Sequence, residues 1–219
     1  MRALVLALAA AAAACSPEPG RPFSVGVLEP ASARVAAAAR RLGLEVSAQA
    51  PPGAATVSAA LPLKGEDGEM AADAARLRFL AARAVAKGSE GIFLRLPRTP
   101  ADRDLLEYVE EWQAVERVAR ELVALRPIIR GGTPASAPFP VPVGLEFRAW
   151  TFHGRGYVVL VNPTGVPLPL GGTSLATWRA LFSVRSDPRQ VLPSCGTESC
   201  LPPEGALWLE GRLWPEILP

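Results

Sequence analysis

The sequence is poor in the residues that do most enzyme chemistry. It has one histidine, three cysteines, two methionines and two tyrosines among 219 residues. A single imidazole, His153, sits in the turn His153-Gly154-Arg155-Gly156 with no Ser or Cys nucleophile motif near it, so it is read as a solvated turn residue and not as the base of a hydrolytic triad. Zinc usually takes four ligands, and His/Cys/Asp/Glu spaced as metal ligands are absent, so no metal site is expected. There is no Walker loop and no Gly-x-Gly-x-x-Gly, and no cofactor is expected. Charge of one sign is also missing: 23 basic residues stand against 21 acidic ones, net +2, with no basic stripe, which excludes a nucleic-acid surface. Beyond the N-terminus no apolar run approaches the roughly 20 residues that a spanning helix needs.

What is present is a chain able to bury a core. Hydrophobic residues make up 49% and charged residues 20%, a composition that folds. Proline is abundant at 23 and falls mostly between the apolar segments, which predicts stiff loops.

The N-terminus has the anatomy of a secretion signal: Arg2, the short apolar run from Leu4 to Leu8, then alanines through Ala14. Residues 1–14 are expected to be removed. Ala12-Ala13-Ala14-Cys15 resembles the lipobox of bacterial lipoproteins, with Ala12 where a leucine is usual. The resemblance implies acylation of Cys15, a tether over residues 15–22, and an exported chain held on a membrane of the cell envelope by lipid. Ordinary cleavage after Ala-x-Ala is the alternative. Cys195 and Cys200 then remain as an even pair in a short polar loop, read as a disulfide that clamps a hairpin.

From 23 to 132, strands alternate with helices, the pattern of a parallel α/β layer. Strands are expected at Phe23–Leu28, Leu44–Ala48, Thr56–Leu61 and Gly91–Leu96. Helices are expected over Ala31–Leu42, over Gly68–Lys87 with Asp67 as cap and Met70 on its buried stripe, and from Thr99-Pro100 to about Leu125. Residues 133–144 read as a Pro/Ala/Ser linker. Residues 145–219 read as a small antiparallel β-sandwich, with a hairpin of Glu146–Phe152 and Tyr157–Asn162. Trp112 is assigned to the core by its helical phase, and Trp150 and Trp208 to the core of the sandwich.

Two segments resemble the C-terminal part of (β/α)8-barrel glycoside hydrolases, where the last barrel units lead into a β-sandwich. The first is the alanine-rich stretch ending Gly88-Ser89-Glu90-Gly91, with its strand and a long helix ending Glu121-Leu122-Val123-Ala124-Leu125-Arg126-Pro127. The second is the hairpin ending Val161-Asn162-Pro163-Thr164. A full barrel takes about 250 residues; roughly 125 remain here, room for about four βα units. The expected fold is therefore a partial barrel-like layer followed by a sandwich.

Glycoside hydrolysis needs two carboxyl groups across the scissile bond. Strand ends would place Glu29, Glu66 and Asp67 on one rim as candidate catalytic acids, with Arg95 and Arg98 as substrate contacts. Trp178 and Trp214 are candidate sugar platforms. Three functional readings follow: a non-catalytic binder of carbohydrate or of an envelope protein, a small glycosidase using that rim, and a structural envelope component.

Overall fold

A computed structural model describes residues 23–28, 32–58, 60–62, 69–71, 74–96, 104–137, 139–170, 177–182, 192–196 and 198–212. Strands β1 (Ser24–Leu28), β2 (Glu45–Ser47), β3 (Ala54–Ser58) and β6 (Gly91–Arg95) form a parallel sheet in the order β2-β1-β6-β3. In a barrel wall each strand pairs with its successor in sequence. Here β2 and β3 are the two edges, so the order is that of an open sheet, and no closed ring is formed among the described residues. A two-stranded hairpin, β4 (Ala60–Pro62) with β5 (Glu69–Ala71), stands apart from it.

Helix α1 (Ala33–Arg41) starts because Ser32 is extended (φ −143°) and its Oγ accepts from Val35 N–H at 3.1 Å. Arg40 and Arg41 meet the negative end of its dipole, and Gly43 at φ +79° stops it. Helix α2 runs from Ala74 to Ala86 and ends at Gly88, φ +88°. The expected start at Gly68 is too early, because Glu69–Ala71 is taken by pairing with Ala60–Pro62; Asp67 itself lies outside the described residues. Helix α3 (Val109–Gly131) follows a short 3-10 turn at Leu105–Glu107. It continues past Leu125 with Pro127 inside. An interior proline costs about 3 kcal/mol, offset here because Ile128 and Ile129 beyond it pack against the core.

One parity of the parallel strands, Val25, Val27, Val57, Ile92 and Leu94, is buried against Val35, Leu77, Val85, Val115 and Leu122 of the three helices. The other parity is mixed: Gly26, the buried Phe93 and Thr56 lie in one row, the buried Leu28 with Arg95 and Ser58 in the next. Gly26 is required there, since a Cβ would strike the Phe93 ring and stand 2.7 Å from the Glu45 carbonyl.

The antiparallel part is built on β8 (Glu146–Phe152) and β9 (Arg155–Val161), joined by a two-residue turn with His153 at φ 47° and Gly154 at φ 72°. They sit in a five-stranded sheet, β11-β14-β9-β8-β7, with β7 Thr133–Ala135, β11 Trp178–Ala180 and β14 Ala206–Arg212. The segment read as linker thus begins with a strand of this sheet. The sheet's inner face packs on α2 and α3, so those helices lie between it and the parallel sheet, in one continuous core. Trp150 and Trp208 stack there, centroids 6.4 Å apart, facing the helices. They were expected inside the sandwich; strand alternation pairs them on one face but does not say which layer covers it.

The outer face of the sheet (Ala149, Val158, Leu160, Leu207, Leu209) packs with Phe139, Leu170 and Leu201 under a small sheet, β10-β13-β12 (β10 Leu168–Pro169, β12 Ser194–Cys195, β13 Glu198–Leu201). Cys195 and Cys200 are disulfide-bonded across the β12–β13 hairpin, as the spacing predicted. No helix among the described residues is long and apolar enough to cross a membrane.

Candidate functional site

Of the rim residues read from the sequence, Glu29, Glu66, Asp67 and Arg98 lie outside the described residues, as do Trp214 and Cys15. Arg95 is the last residue of β6, exposed, in register with Leu28 and Ser58 at the C-terminal edge of the parallel sheet.

That edge holds a carboxylate the sequence reading missed. Asp104 precedes the 3-10 turn, where its Oδ1 accepts from Leu106 N–H at 3.0 Å and its Oδ2 accepts from Ser32 Oγ at 2.7 Å. The backbone hydrogen bond first, then the Ser32 hydroxyl, hold its carboxyl below the usual range, with Arg34 adding in the same direction. Both oxygens are committed to tying the entry of α1 to the connection after β6. A carboxylate held ionised this way is a capping group, not a proton donor. The legible signal was Asp104 ahead of Leu105-Leu106-Glu107, a capping residue before an apolar turn.

The tie titrates. A carboxylate lowered in the fold stabilises it above the ordinary aspartate value, about 3.9, and that contribution is lost as pH falls through the lowered folded value. Asparagine caps as well as aspartate, so Asp104→Asn keeps the bond from Leu106 N–H and removes the charge together with the second acceptor that Ser32 Oγ uses. Acid unfolding followed by circular dichroism should show the parent more stable than Asp104→Asn above pH ~4, with the gap closing below it. A gap that persists in acid refutes the assignment.

Trp178 occupies a different setting. On β11 it pairs with Gly211 of β14, which pairs with Gly156 of β9, which pairs with Thr151 of β8. A glycine inside a strand marks close approach, and the Trp178 ring lies on Gly211: a Cβ there would be 2.9 Å from Cε3 and 3.0 Å from Cδ2. Phe139 meets the indole edge-on with centroids 5.5 Å apart. Beside this half-buried ring opens a shallow surface cleft, lined by Ser136, Thr151, Gly156, Val158, Trp178 and Arg212 among others, with no Asp or Glu among the described residues of its wall. The sequence singled out Trp178 but not the cleft, because the glycine row exists only across the strand register. Among the described residues no three or more His, Cys, Asp or Glu gather as a metal site.

No protein-family model matches the chain. No curated protein sequence matches it. Among solved structures it is similar to the glycoside hydrolase family 30 subfamily 8 xylanase of Clostridium acetobutylicum, with a TM-score of 0.41 at 11% identity, over 89% of this chain and 46% of that one. A family 27 β-L-arabinopyranosidase from Geobacillus stearothermophilus aligns with a TM-score of 0.39 at 10% identity, over 78% and 38%. An α-amylase from Geobacillus thermoleovorans aligns with a TM-score of 0.33 at 18% identity, over 64% and 37%. The chain spans less than half the length of these structures. The likenesses are weak and describe a shared mix of parallel and antiparallel sheet, compatible with part of a glycoside-hydrolase-like fold.

Proposed function

We propose that this is an exported envelope protein, lipid-anchored at Cys15, that binds carbohydrate through Trp178 without cleaving it. The carrying observation is the seat of Trp178: an indole held on Gly211, backed by Phe139, beside an open cleft. A fixed aromatic face with nearby hydroxyls, Ser136 and Thr151, suits the apolar face and hydroxyl rim of a pyranose ring. Hydrolysis would need two carboxyl groups about 5 to 10 Å apart, and the described residues of the cleft wall include none. Export is supported by the signal-like N-terminus and by a disulfide of the kind that persists in oxidising compartments.

The test is binding of the purified full chain to a polysaccharide panel, by pull-down and by quenching of tryptophan fluorescence. Trp178→Ala should weaken binding roughly tenfold or more, since burying a large apolar side chain contributes about 1.5–3 kcal/mol. Binding that survives Trp178→Ala, or release of reducing sugar by the parent protein, defeats this reading.

A further inference from the structure

We infer that one end of the five-stranded sheet, on its helix-facing side, docks on anionic lipid headgroups through Arg155, Arg179 and Arg212; this rests on the reading of the chain as lipid-anchored at Cys15 and is independent of the Trp178 cleft. Register brings the three arginines together. Arg179 of β11 is opposite Glu210 of β14, Arg212 lies two residues along on the same face, and Arg212 is opposite Arg155 of β9. Alternation turns them to the side of Trp208 and Tyr157, away from the face that bears Trp178 and Gly211. All three are exposed, so the helices do not cover this end. Helix α3 borders it: Gly131 lies against the ring of Phe152, which is in register with Arg155, and Arg130 in the last turn is exposed as well.

The charge there is unbalanced. Glu210 is the one carboxylate among the described residues of these strand ends and of the last turn of α3. It is 14% exposed and committed, accepting from Arg155 at 2.7 Å and from the Tyr157 hydroxyl at 3.2 Å. Arg179 and Arg212 have no ion pair among the described residues. Like charges directly opposite on neighbouring strands, as Arg155 and Arg212 are, destabilise a sheet. An anionic surface offsets that cost, and each arginine brought near one strengthens binding roughly fivefold. The tether supplies the surface. Gly43 stands two residues before Glu45, as Ser24 at the start of β1 stands two before its partner Gly26. Arg126 of α3 donates to the Gly43 carbonyl at 2.8 Å, and α3 reaches Gly131 and Phe152 only about 8 Å farther along its axis. Residues 15–22 can span at most about 28 Å, so a bilayer that holds Cys15 stays close to this end.

The experiment reconstitutes the full chain, purified from bacterial membranes, into vesicles of phosphatidylcholine alone and of phosphatidylcholine with an equal part of phosphatidylglycerol, and follows amide hydrogen exchange. The β8–β9 turn and the last turn of α3 should exchange several-fold more slowly on the anionic vesicles, and the difference should shrink as salt rises. Arg179→Gln and Arg212→Gln should each weaken docking roughly fivefold, and together return exchange to its rate on neutral vesicles. Arg179→Lys with Arg212→Lys should keep the protection, because attraction to headgroups needs charge and not the guanidinium fork. Circular dichroism checks that each variant is folded. Equal exchange on the two vesicles by an acylated chain overturns the docking face and leaves the anchor standing. Protection lost in the lysine pair, as a fork site for one bound anion requires, overturns it too. The mass of the N-terminal peptide and sedimentation with neutral vesicles read the anchor separately. An unacylated chain that sediments with anionic vesicles alone, and needs both arginines to do so, overturns the anchor and keeps the docking face; a chain that sediments with neither overturns both.

Discussion

Replacing Asn162 with alanine should destabilise the protein by about 3 kcal/mol, read as a lowered urea midpoint with an unchanged slope. Asn162 follows β9 and is fully buried, 0% exposed. Its Nδ2 donates to the carbonyls of Val166 at 2.8 Å, Leu201 at 3.0 Å and Pro202 at 3.0 Å. Its Oδ1 accepts from the Thr164 amide at 3.0 Å and the Thr164 hydroxyl at 2.7 Å. One amide therefore closes the turn after β9 and fastens it to the β13–β14 connection, uniting the two sheets of the sandwich. Alanine would strand buried carbonyls, and each group left unsatisfied costs about 1–3 kcal/mol. Asn162→Asp should cost more than alanine: it keeps the shape but turns a carboxylate oxygen toward carbonyl oxygens, a buried like-sign contact. Asn162→Ala costing under about 1 kcal/mol, or Asn162→Asp proving milder than Asn162→Ala, would remove this role. The residue belongs to the Val161-Asn162-Pro163-Thr164 motif that carries the resemblance to appended sandwiches. The motif here is a hydrogen-bonded corner.

How much was legible depends on whether a feature is local. The β8–β9 hairpin was legible because alternating apolar residues flank a turn that demands positive φ, and β1 and β6 because short buried runs end at turn residues. The disulfide followed from cysteine spacing in a polar loop. Features set by distant partners were not legible. Thr133–Ala135 has the composition of a linker and becomes a strand only because Trp150 and its neighbours on β8 pair with it. Glu69–Ala71 continues a helical pattern, yet pairs with Ala60–Pro62. The strand order β2-β1-β6-β3 is invisible in an alternation of strands and helices, which states only that the strands run parallel. The Trp178 cleft depends on Gly156 and Gly211, 55 positions apart, falling into one row. Asp104 is a local signal too, a capping residue before an apolar turn, but Thr99-Pro100 upstream offers a competing helix start.

The join between α2 and α3 offers the second large effect. Arg78 on α2 and Glu121 on α3 form a two-pronged pair, Nε to Oε2 at 2.6 Å with Nη2 on Oε1. The side chains are 27% and 10% exposed, in the layer between the two sheets. The hydrogen bond to Glu121 raises the Arg78 pKa, burial opposes it, and the glutamate's charge adds to the rise. A cation raised in the fold contributes stability that is fully present below the ordinary arginine value and is lost only as pH climbs past the folded one. The arginine's share is therefore flat across the neutral range. Glu121→Ala leaves the guanidinium in the helix layer without its counter-charge and should cost about 3–5 kcal/mol, equally at pH 6 and pH 9. Removing both charges is a different matter. Desolvating two ions consumes most of their attraction, so Arg78→Met with Glu121→Leu should return to within about 1 kcal/mol of the parent, or exceed it. Urea unfolding of the two single variants and the double closes the cycle. A double variant as damaged as the sum of the singles would mean that the pair holds α2 against α3 by shape, through the aliphatic stems, and not by charge.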